Sequence, residues 1–316
     1  MKDKIKTRIA IVGIGAVGGY FGGLLAKKYY KSEEVEIIFI VRESTENVIR
    51  EKGLRVITST GEINVFPHQL ATRFSILEPV DYLICCTKSY DLEESLSFLN
   101  CLISSQTIIL PLYNGIDARE RIRKMYPSAE VASGCVYLLS RLIEPGIVKQ
   151  EGNIHSLYFG SESAPASKLN QLKKILLNAE IECCYSRNIK ESIWEKFIFV
   201  SSIATLTSYL NLTIRELIGN ENHIKTLIEL INELKLIADA ERIRIPENIT
   251  EKILDTLRTL PFGSTSSMHS DYRKGAKTEY RSLTEYVSLL GDKWNIDTPV
   301  YDNMTSEFRL RETKVL

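Results

Sequence analysis

Three glycines near the start of the chain restrict its fold more than any other feature. The segment Ile9–Gly22 reads as an apolar strand, a Gly-x-Gly-x-x-Gly turn and the beginning of a helix. In such a unit the first glycine permits a tight turn, the second lets the backbone approach a pyrophosphate, and the third lets the helix lie close to the strand. The segment therefore predicts a dinucleotide-binding turn, with a Rossmann-shaped domain that has lost its nucleotide site as the alternative. The residues expected at the dinucleotide are Gly13, Gly15, Ala16, Val17 and Gly18.

Short β-rich runs alternate with amphipathic stretches from Arg8 to about Cys184. This alternation indicates βαβ units and a mostly parallel sheet. The predicted strands are Arg8–Val12, Val35–Val41, Tyr82–Cys86, Thr107–Pro111 and Val131–Tyr137. A patch rich in glycine and proline at 144–160 is expected to add strands at the far edge of this sheet, and 168–177 to form one more helix.

After about Ser186 the apolar residues recur at helical spacing instead. The predicted helices are Ser192–Leu217, Glu221–Glu241, Glu247–Leu260, Glu279–Trp294 and Pro299–Arg309. The change of period predicts an α/β protein in which an N-terminal Rossmann-type doubly wound parallel sheet, residues 1–185, precedes a C-terminal all-helical domain, residues 186–316.

Composition limits the partners of this chain. Lysine plus arginine and aspartate plus glutamate both number 40, and no basic stripe predicts nucleic-acid binding, so a small neutral or anionic ligand is expected. No apolar run approaches the roughly 20 residues of a membrane span. The six cysteines lack the spacing of metal ligands or a disulfide framework, and we interpret them as reduced core residues of a cytoplasmic protein. The four histidines show no ligand spacing, so no metal is assigned.

The end of the second predicted strand indicates which dinucleotide binds. An acidic residue there would bond the ribose hydroxyls of NAD, whereas an arginine accepts the 2′-phosphate of NADP. Arg42 occupies this place, followed immediately by Glu43, and Lys88 is a second cation expected near the same phosphate. The pattern favours NADPH, with two solvated surface charges as the alternative.

These motifs resemble those of the ketopantoate reductase (2-dehydropantoate 2-reductase) family along nearly the whole chain. The motifs that carry the resemblance are the glycine turn, Arg42, Thr87-Lys88, Asn114-Gly115, Trp194-Glu-Lys196, Ser266-Ser-Met-x-x-Asp271 and Thr278-Glu279. The resemblance implies NADPH-dependent reduction of ketopantoate to pantoate, the precursor of pantothenate and coenzyme A. A homodimer is compatible with the sequence, which does not determine the oligomeric state.

The resemblance also implies roles for single residues. Lys196 matches the catalytic lysine and Glu279 the active-site glutamate of the family. Ser267 matches a contact to the substrate carboxylate, and Asn114 matches the asparagine between cofactor and substrate. Asn114 and Glu279 are expected to contact the cofactor as well.

The chemistry of the residues agrees with these roles. A hydride that reaches a ketone carbon builds negative charge on the oxygen, so the site needs a cation or a proton donor there. Lys196 stands among apolar neighbours, where it would be desolvated and favour giving up its proton. The alternative is a lysine that snorkels to the surface of its helix. Glu279 is a candidate partner for the lysine.

One departure affects the substrate. The family usually carries two asparagines one and two turns after the lysine, where this chain has Val200 and Ala204. Reduction of a different 2-oxo or 3-oxo acid in a more apolar pocket is therefore an alternative, unless Thr207, Ser208 and Asn211 on the same predicted helix compensate. A protein that senses NADPH without turnover is a further alternative, although a sensor has no reason to keep a proton donor.

Overall fold

The computed structural model describes residues 6–315, and these form two compact units. One unit contains the chain up to Tyr113 together with Ala118–Ile189. The other contains Asn114–Asp117 and the chain from Lys190 onward. A four-residue loop therefore belongs to the second unit although the chain on both sides of it belongs to the first.

The first unit contains the strands, and their order along the chain gives β1 to β11. They are β1 Thr7–Val12, β2 Val35–Ile40, β3 Leu54–Thr58, β4 Gly61–Val65, β5 Gln69–Ala71, β6 Tyr82–Cys85, β7 Ile108–Pro111, β8 Glu130–Val131, β9 Ser133–Glu144, β10 Ile147–Gly160 and β11 Cys183–Tyr185. The helices of this unit are α1 Ala16–Lys28, α2 Glu43–Lys52, α3 Leu92–Ser97, α4 Ala118–Met125 and α5 Ala166–Asn178.

The main sheet is parallel throughout its described part, in the order β5-β2-β1-β6-β7-β8. Alternate residues of the central strands enter two separate hydrophobic cores, because successive side chains of a strand point to opposite faces. Ile9 and Ile11 of β1 pack in one core, and Ala10 and Val12 pack in the other. Burial on both faces explains the continuous apolar runs in the sequence, and the predicted doubly wound parallel sheet is confirmed.

The patch at 144–160 does not extend the main sheet, so that prediction was wrong. Strands β9 and β10 form a long antiparallel hairpin in a second sheet, which has the order β11-β10-β3-β4 with β9 on β10. Gly19 explains why this hairpin can lie against α1: a Cβ on that glycine would come 2.6 Å from Cγ2 of Val148 in β10.

The second unit is helical in its described residues beyond Lys190, and the predicted helical C-terminal region is confirmed. Its elements are α6 Ile189–Leu210, α7 Ile214–Ile218, α8 Glu221–Ala240, α9 Ile249–Thr259, α10 Ser267–Arg273, a π-helical turn Arg281–Glu285, α11 Tyr286–Trp294 and α12 Pro299–Val315. One core, which includes Phe197, Ile231 and Tyr301, lies among these helices. No described helix has the length and apolar character required to cross a membrane.

Two details differ from the sequence prediction. Residues 192–217 do not form one helix: Asn211 adopts a left-handed conformation with φ of 55°, which ends α6, and a capping box at Thr213 starts α7. The six cysteines are not all core residues, because Cys101 and Cys184 are exposed. Burial raises the pKa of Cys86 to about 12, so this thiol stays protonated at neutral pH.

Candidate active site

The glycine turn has the geometry that its sequence predicts. Gly13 directly follows β1 with φ of 86°, a conformation that favours glycine. A Cβ on Gly18 would lie 2.1 Å from the carbonyl oxygen of Gly13, so only glycine lets α1 come this close to the strand. Tight packing therefore accounts for Gly13 and Gly18 within the protein itself.

Gly15 differs from the other two glycines of the turn, Gly13 and Gly18. A Cβ on Gly15 would meet nothing within 4 Å, so no protein atom explains the glycine there. Gly15 is also the N-cap of α1, and no side chain caps the helix at this residue. The first turn of α1, which contains Ala16 and Val17, carries no acidic residue. Open space beside helix N–H groups that no side chain caps is what a pyrophosphate requires, so the turn fits a dinucleotide.

Arg42 lies at the same edge of the sheet as the glycine turn, because β1 and β2 are parallel neighbours and the amide of Gly13 donates to the carbonyl of Ile40. Its side chain is 76% exposed, and Nη2 lies 2.6 Å from Oδ2 of Asp91. Glu43, the acidic residue next to Arg42, forms an ion pair with Arg73 instead, at 2.9 Å. The cation predicted for a 2′-phosphate is therefore accessible, but it already has an acidic neighbour in this structure.

Lys88 follows Thr87 at the end of β6 and is the N-cap of the short 3₁₀ turn Ser89–Asp91. Asp91 is thus carried by the same turn, so Lys88 and the partner of Arg42 come from one segment.

The Oγ1 of Thr87 lies 2.8 Å from the hydroxyl of Tyr113 at the end of the next strand. Burial raises the pKa of Tyr113 well above its ordinary value, so this phenol remains neutral.

In the second unit, Lys196 and Asn114 form a direct contact. The Nζ of Lys196 donates to Oδ1 of Asn114 over 2.9 Å. The side chain of Lys196 is buried, with 5% exposure, in the middle of α6. A lysine that snorkels would hold its ammonium group in water, so the structure contradicts that alternative. The amide oxygen offsets part of the cost of burying the ammonium group and fixes its direction.

Glu279 is also buried, with 5% exposure, and it directly precedes the helix that begins with a π-helical turn. Its carbonyl accepts the amides of Ser282 and Leu283. The π turn is bonded to α6 through Ser201, whose hydroxyl donates to the carbonyl of Leu283 over 2.5 Å. A buried glutamate at such a turn is not the solvated surface charge usual at the start of a helix.

Ser267 is exposed at the first position of α10, while the preceding Ser266 caps the helix by accepting from the amide of His269. Ser266 thus caps one amide of the helix, and the hydroxyl of the exposed Ser267 is accessible to a ligand at this end. The structure places Ser267 in the same unit as Lys196 and Glu279.

The polar residues at the end of α6 hold this serine segment. Thr207 Oγ1 lies 2.9 Å from Oγ of Ser266, and Asn211 Oδ1 lies 2.9 Å from Nε2 of His269. Burial lowers the pKa of His269, so the ring is neutral and its Nε2–H can donate to the asparagine. Thr207 and Asn211 therefore already have partners within the protein.

The face of α6 beyond Lys196 is apolar where the sequence departs from the family pattern. Val200 is half-buried and packs on the core of the unit, and Ala204 is buried with 1% exposure. Both positions follow Lys196 at intervals of four residues, which places them on the same side of the helix.

Sequence reasoning missed two buried polar residues of this region. Ser282 Oγ donates to Oδ2 of Asp117 over 2.9 Å, and both side chains are buried. The Asn-Gly turn at Asn114 indicated a loop, but nothing in the sequence links that loop to a serine 165 positions later.

Comparison with known proteins covers both units. Residues 9–163 match the family model described as ketopantoate reductase PanE/ApbA, and residues 188–312 match the model of its C-terminal part. A 2-dehydropantoate 2-reductase from Streptococcus pyogenes serotype M3 is 27% identical over 305 residues, which cover 95% of this chain and 95% of the relative.

Solved structures that are similar to this chain include another 2-dehydropantoate 2-reductase and a dehydrogenase of a different name. The crystal structure of 2-dehydropantoate 2-reductase from Porphyromonas gingivalis W83 is 29% identical, with a TM-score of 0.82 over 96% of this chain and 99% of that one. A complex of D-mandelate dehydrogenase with NADH is 25% identical, with a TM-score of 0.82 over 98% of this chain and 99% of that one. Proteins of this architecture thus include dehydrogenases with different names.

Proposed function

Since this chain belongs to the ketopantoate reductase family, an oxidoreductase family, we propose that it reduces a small 2-oxo acid with NADPH, and that ketopantoate is its first candidate substrate. The observation that carries the proposal is the buried Lys196, whose ammonium group is directed by Asn114. A protein that only senses NADPH gains nothing from burying a directed proton donor, so the contact favours an enzyme.

The proposed domains follow from these residues. Residues 1–185 would bind the dinucleotide, and residues 186–316 would supply the catalytic and substrate-binding groups. Gly13, Gly15 and Gly18 would hold the pyrophosphate at the start of α1, and Arg42 with Lys88 would hold the 2′-phosphate. The open space beside Gly15 supports this assignment.

The proposed chemistry needs one hydride and one proton. Bound NADPH would supply the hydride to the C2 carbon of the oxo acid. Lys196 would donate its proton to the carbonyl oxygen, where negative charge develops, so that a 2-hydroxy acid forms. Asn114 would keep the ammonium group directed at that oxygen, because its amide oxygen accepts one of the N–H groups of Lys196.

Two further residues would bind the substrate. Ser267 would donate to the carboxylate from the first turn of α10, where the helix amides also favour an anion. Glu279 would either orient Lys196 or accept a hydrogen bond from a substrate hydroxyl. Its burial supports a role inside the protein, since a glutamate with no such role is almost always exposed to solvent.

A second candidate function is reduction of a 2-oxo acid with an apolar side chain. Val200 and Ala204 offer no hydrogen bond, and Thr207 and Asn211 are bonded to the segment that carries Ser267. The D-mandelate dehydrogenase of similar fold shows that this architecture also serves another dehydrogenase, and its complex contains NADH. NADPH therefore remains a proposal that rests on Arg42.

One assay separates the two functions. Ketopantoate and 3,3-dimethyl-2-oxobutanoate share a carbon skeleton and differ only in the terminal hydroxyl. A site that hydrogen-bonds this hydroxyl should prefer ketopantoate by a factor of roughly 100 or more in kcat/KM, whereas an apolar site should show a ratio near or below one. Turnover of both compounds is measured by oxidation of NADPH, and then of NADH.

Val200→Asn is the matched variant for this assay. It places an amide one turn after Lys196, and the kcat/KM ratio should shift toward ketopantoate if Val200 faces the substrate. Failure of the parent protein to reduce either compound, or any other 2-oxo acid of a wider panel, would reject the proposed function.

A further inference from the structure

A frame of buried polar side chains connects three segments of the second unit. Ser282 donates to Asp117, Ser201 donates to the carbonyl of Leu283, and Thr205 Oγ1 lies 2.7 Å from Oγ1 of Thr284. The side chains that form these bonds are at most 6% exposed. Buried hydrogen bonds are costly to leave unmade, so this frame fixes α6, the loop 114–117 and the π turn relative to one another.

The π turn is where the frame meets Glu279. Ser282 lies within Arg281–Glu285, and its amide donates to the carbonyl of Glu279 over 3.1 Å. π turns are rare and occur frequently at functional sites, where the extra residue redirects the side chains around it. A bond that holds Ser282 therefore also fixes the direction of the chain that carries Glu279.

The loop is where the frame meets Lys196. Asp117 ends the same four-residue loop that begins with Asn114, the acceptor of the lysine ammonium group. Gly115, between them, is packed closely: a Cβ there would lie 2.9 Å from Cβ of Ser282 and 2.6 Å from Oδ1 of Asp117. Loop and π turn are thus in direct contact, and a shift of one must move the other.

We propose that Asp117 and Ser282 are positioning residues for the reduction, which hold Asn114 with Lys196 on one side and Glu279 on the other in their productive arrangement. The inference rests on the proposed function, because it assigns the chemistry to Lys196. Neither residue needs to touch the substrate or the cofactor. A misplacement of about 1 Å can cost a factor of 100 in rate, so loss of this one bond should lower kcat by roughly tenfold.

Four single variants and one double variant test the inference. Ser282→Ala and Asp117→Ala remove the bond, while Asp117→Asn keeps an oxygen that can accept from the serine hydroxyl. Ser288→Ala is the matched control, because Ser288 lies on α11 close behind the π turn and its hydroxyl lies 3.2 Å from Oγ1 of Thr305. Each full-length protein is assayed with NADPH and the oxo acid that the parent reduces fastest.

The expected result is a kcat about tenfold lower in both alanine variants, with KM for NADPH unchanged and Asp117→Asn within about threefold of the parent. The double alanine variant should be no worse than the poorer single one, since both changes break the same bond. Ser288→Ala should keep the parent kcat. Amide hydrogen exchange in residues 114–117 should accelerate in Ser282→Ala without any ligand present, which a loss of activity alone would not reveal.

Three results would overturn the inference: parent-like kcat in Ser282→Ala, Asp117→Asn as impaired as Asp117→Ala, or equal losses in Ser288→Ala. Lys196→Met and the parent, assayed in parallel, distinguish this failure from the other two. If Lys196→Met is inactive while Ser282→Ala is normal, only the positioning role fails. If Lys196→Met is as active as the parent, the assignment of the proton donor fails and the positioning role fails with it. A parent protein that reduces no oxo acid rejects the proposed function itself.

Discussion

Replacing Lys196 by methionine separates the chemical role of this residue from its role in packing. The lysine is 5% exposed in the middle of α6, so truncation to alanine would also leave a cavity. Methionine keeps an unbranched apolar stem of similar volume and removes only the ammonium group. We expect Lys196→Met to fold normally, to bind NADPH as the parent does, and to lose most of its turnover.

The magnitude follows from the two contributions that change. Loss of a positioned general acid typically costs a factor of 10² to 10⁴ in rate, which corresponds to about 3–5 kcal/mol of transition-state stabilisation. The effect on stability should be small beside this, because methionine keeps the packed stem and removes the cost of burying an ammonium group. The free energy of unfolding and kcat should therefore respond very differently to the same substitution.

Three measurements check this prediction: steady-state oxidation of NADPH with the preferred oxo acid, calorimetric titration with NADPH, and the unfolding midpoint in urea. Lys293→Met is the control, because Lys293 belongs to the same unit and pairs with Glu241 at 2.9 Å on the surface. A Lys196→Met protein with kcat within threefold of the parent would refute the assignment of the proton donor. Equal losses in Lys293→Met would show that the effect is not specific.

The remaining predictions concern the cofactor and pH. Gly15→Ala should leave the unfolding midpoint unchanged but weaken NADPH binding at least tenfold. Gly18→Ala should lower the free energy of unfolding by about 1–3 kcal/mol, because its Cβ would lie 2.1 Å from a backbone oxygen. Titration with NADPH and melting curves of both variants check this, and equal behaviour of the two would contradict it. Arg42→Asp should abolish a preference for NADPH over NADH. Asp91→Asn should strengthen NADPH binding up to about fivefold, because the ion pair between Arg42 and Asp91 in the parent is worth only about 0.2–1 kcal/mol. Unchanged dissociation constants for both dinucleotides in these variants would count against a phosphate site. Burial holds the pKa of His269 below its ordinary value of 6.5, so as the pH falls below 6.5 the unfolded chain binds more protons than the folded protein. The free energy of unfolding should therefore decrease from pH 6.5 down to the lowered pKa. His269→Gln should flatten this slope in melting curves measured at a series of pH values.

The sequence predicted those features that depend on local constraints. The glycine turn was predictable because Gly18 approaches Gly13, only a few residues away, and Gly13 adopts a positive φ that favours glycine. The parallel sheet was predictable because strands buried on both faces are continuously apolar. The second sheet was placed wrongly, since β3 and β4 are short, partly exposed strands and the pairing of β3 with β10 is a long-range event.

The site was predictable in its residues more than in its contacts. Lys196 and Glu279 were selected by motif, but their burial depends on packing across the whole unit. The acidic neighbour of Arg42 comes from a segment 49 positions later, and the π turn is invisible in a stretch that reads as one amphipathic helix. Periodicity reports which face of a helix is apolar, and it does not report an inserted residue within a turn.

The loop 114–117 has a consequence for protein engineering. Four residues from the middle of the sheet-bearing half belong to the helical unit, and they contribute the acceptor of the Lys196 ammonium group. A chimera that joins the chain from Lys190 onward to a foreign dinucleotide-binding domain would lack these four residues. Such a recombinant would need the native Asn-Gly-Ile-Asp tetrapeptide grafted between the corresponding strand and helix of its new partner. Exchange of the helical unit between proteins of this architecture therefore requires two segments of chain, because a single splice point would separate the lysine from its acceptor.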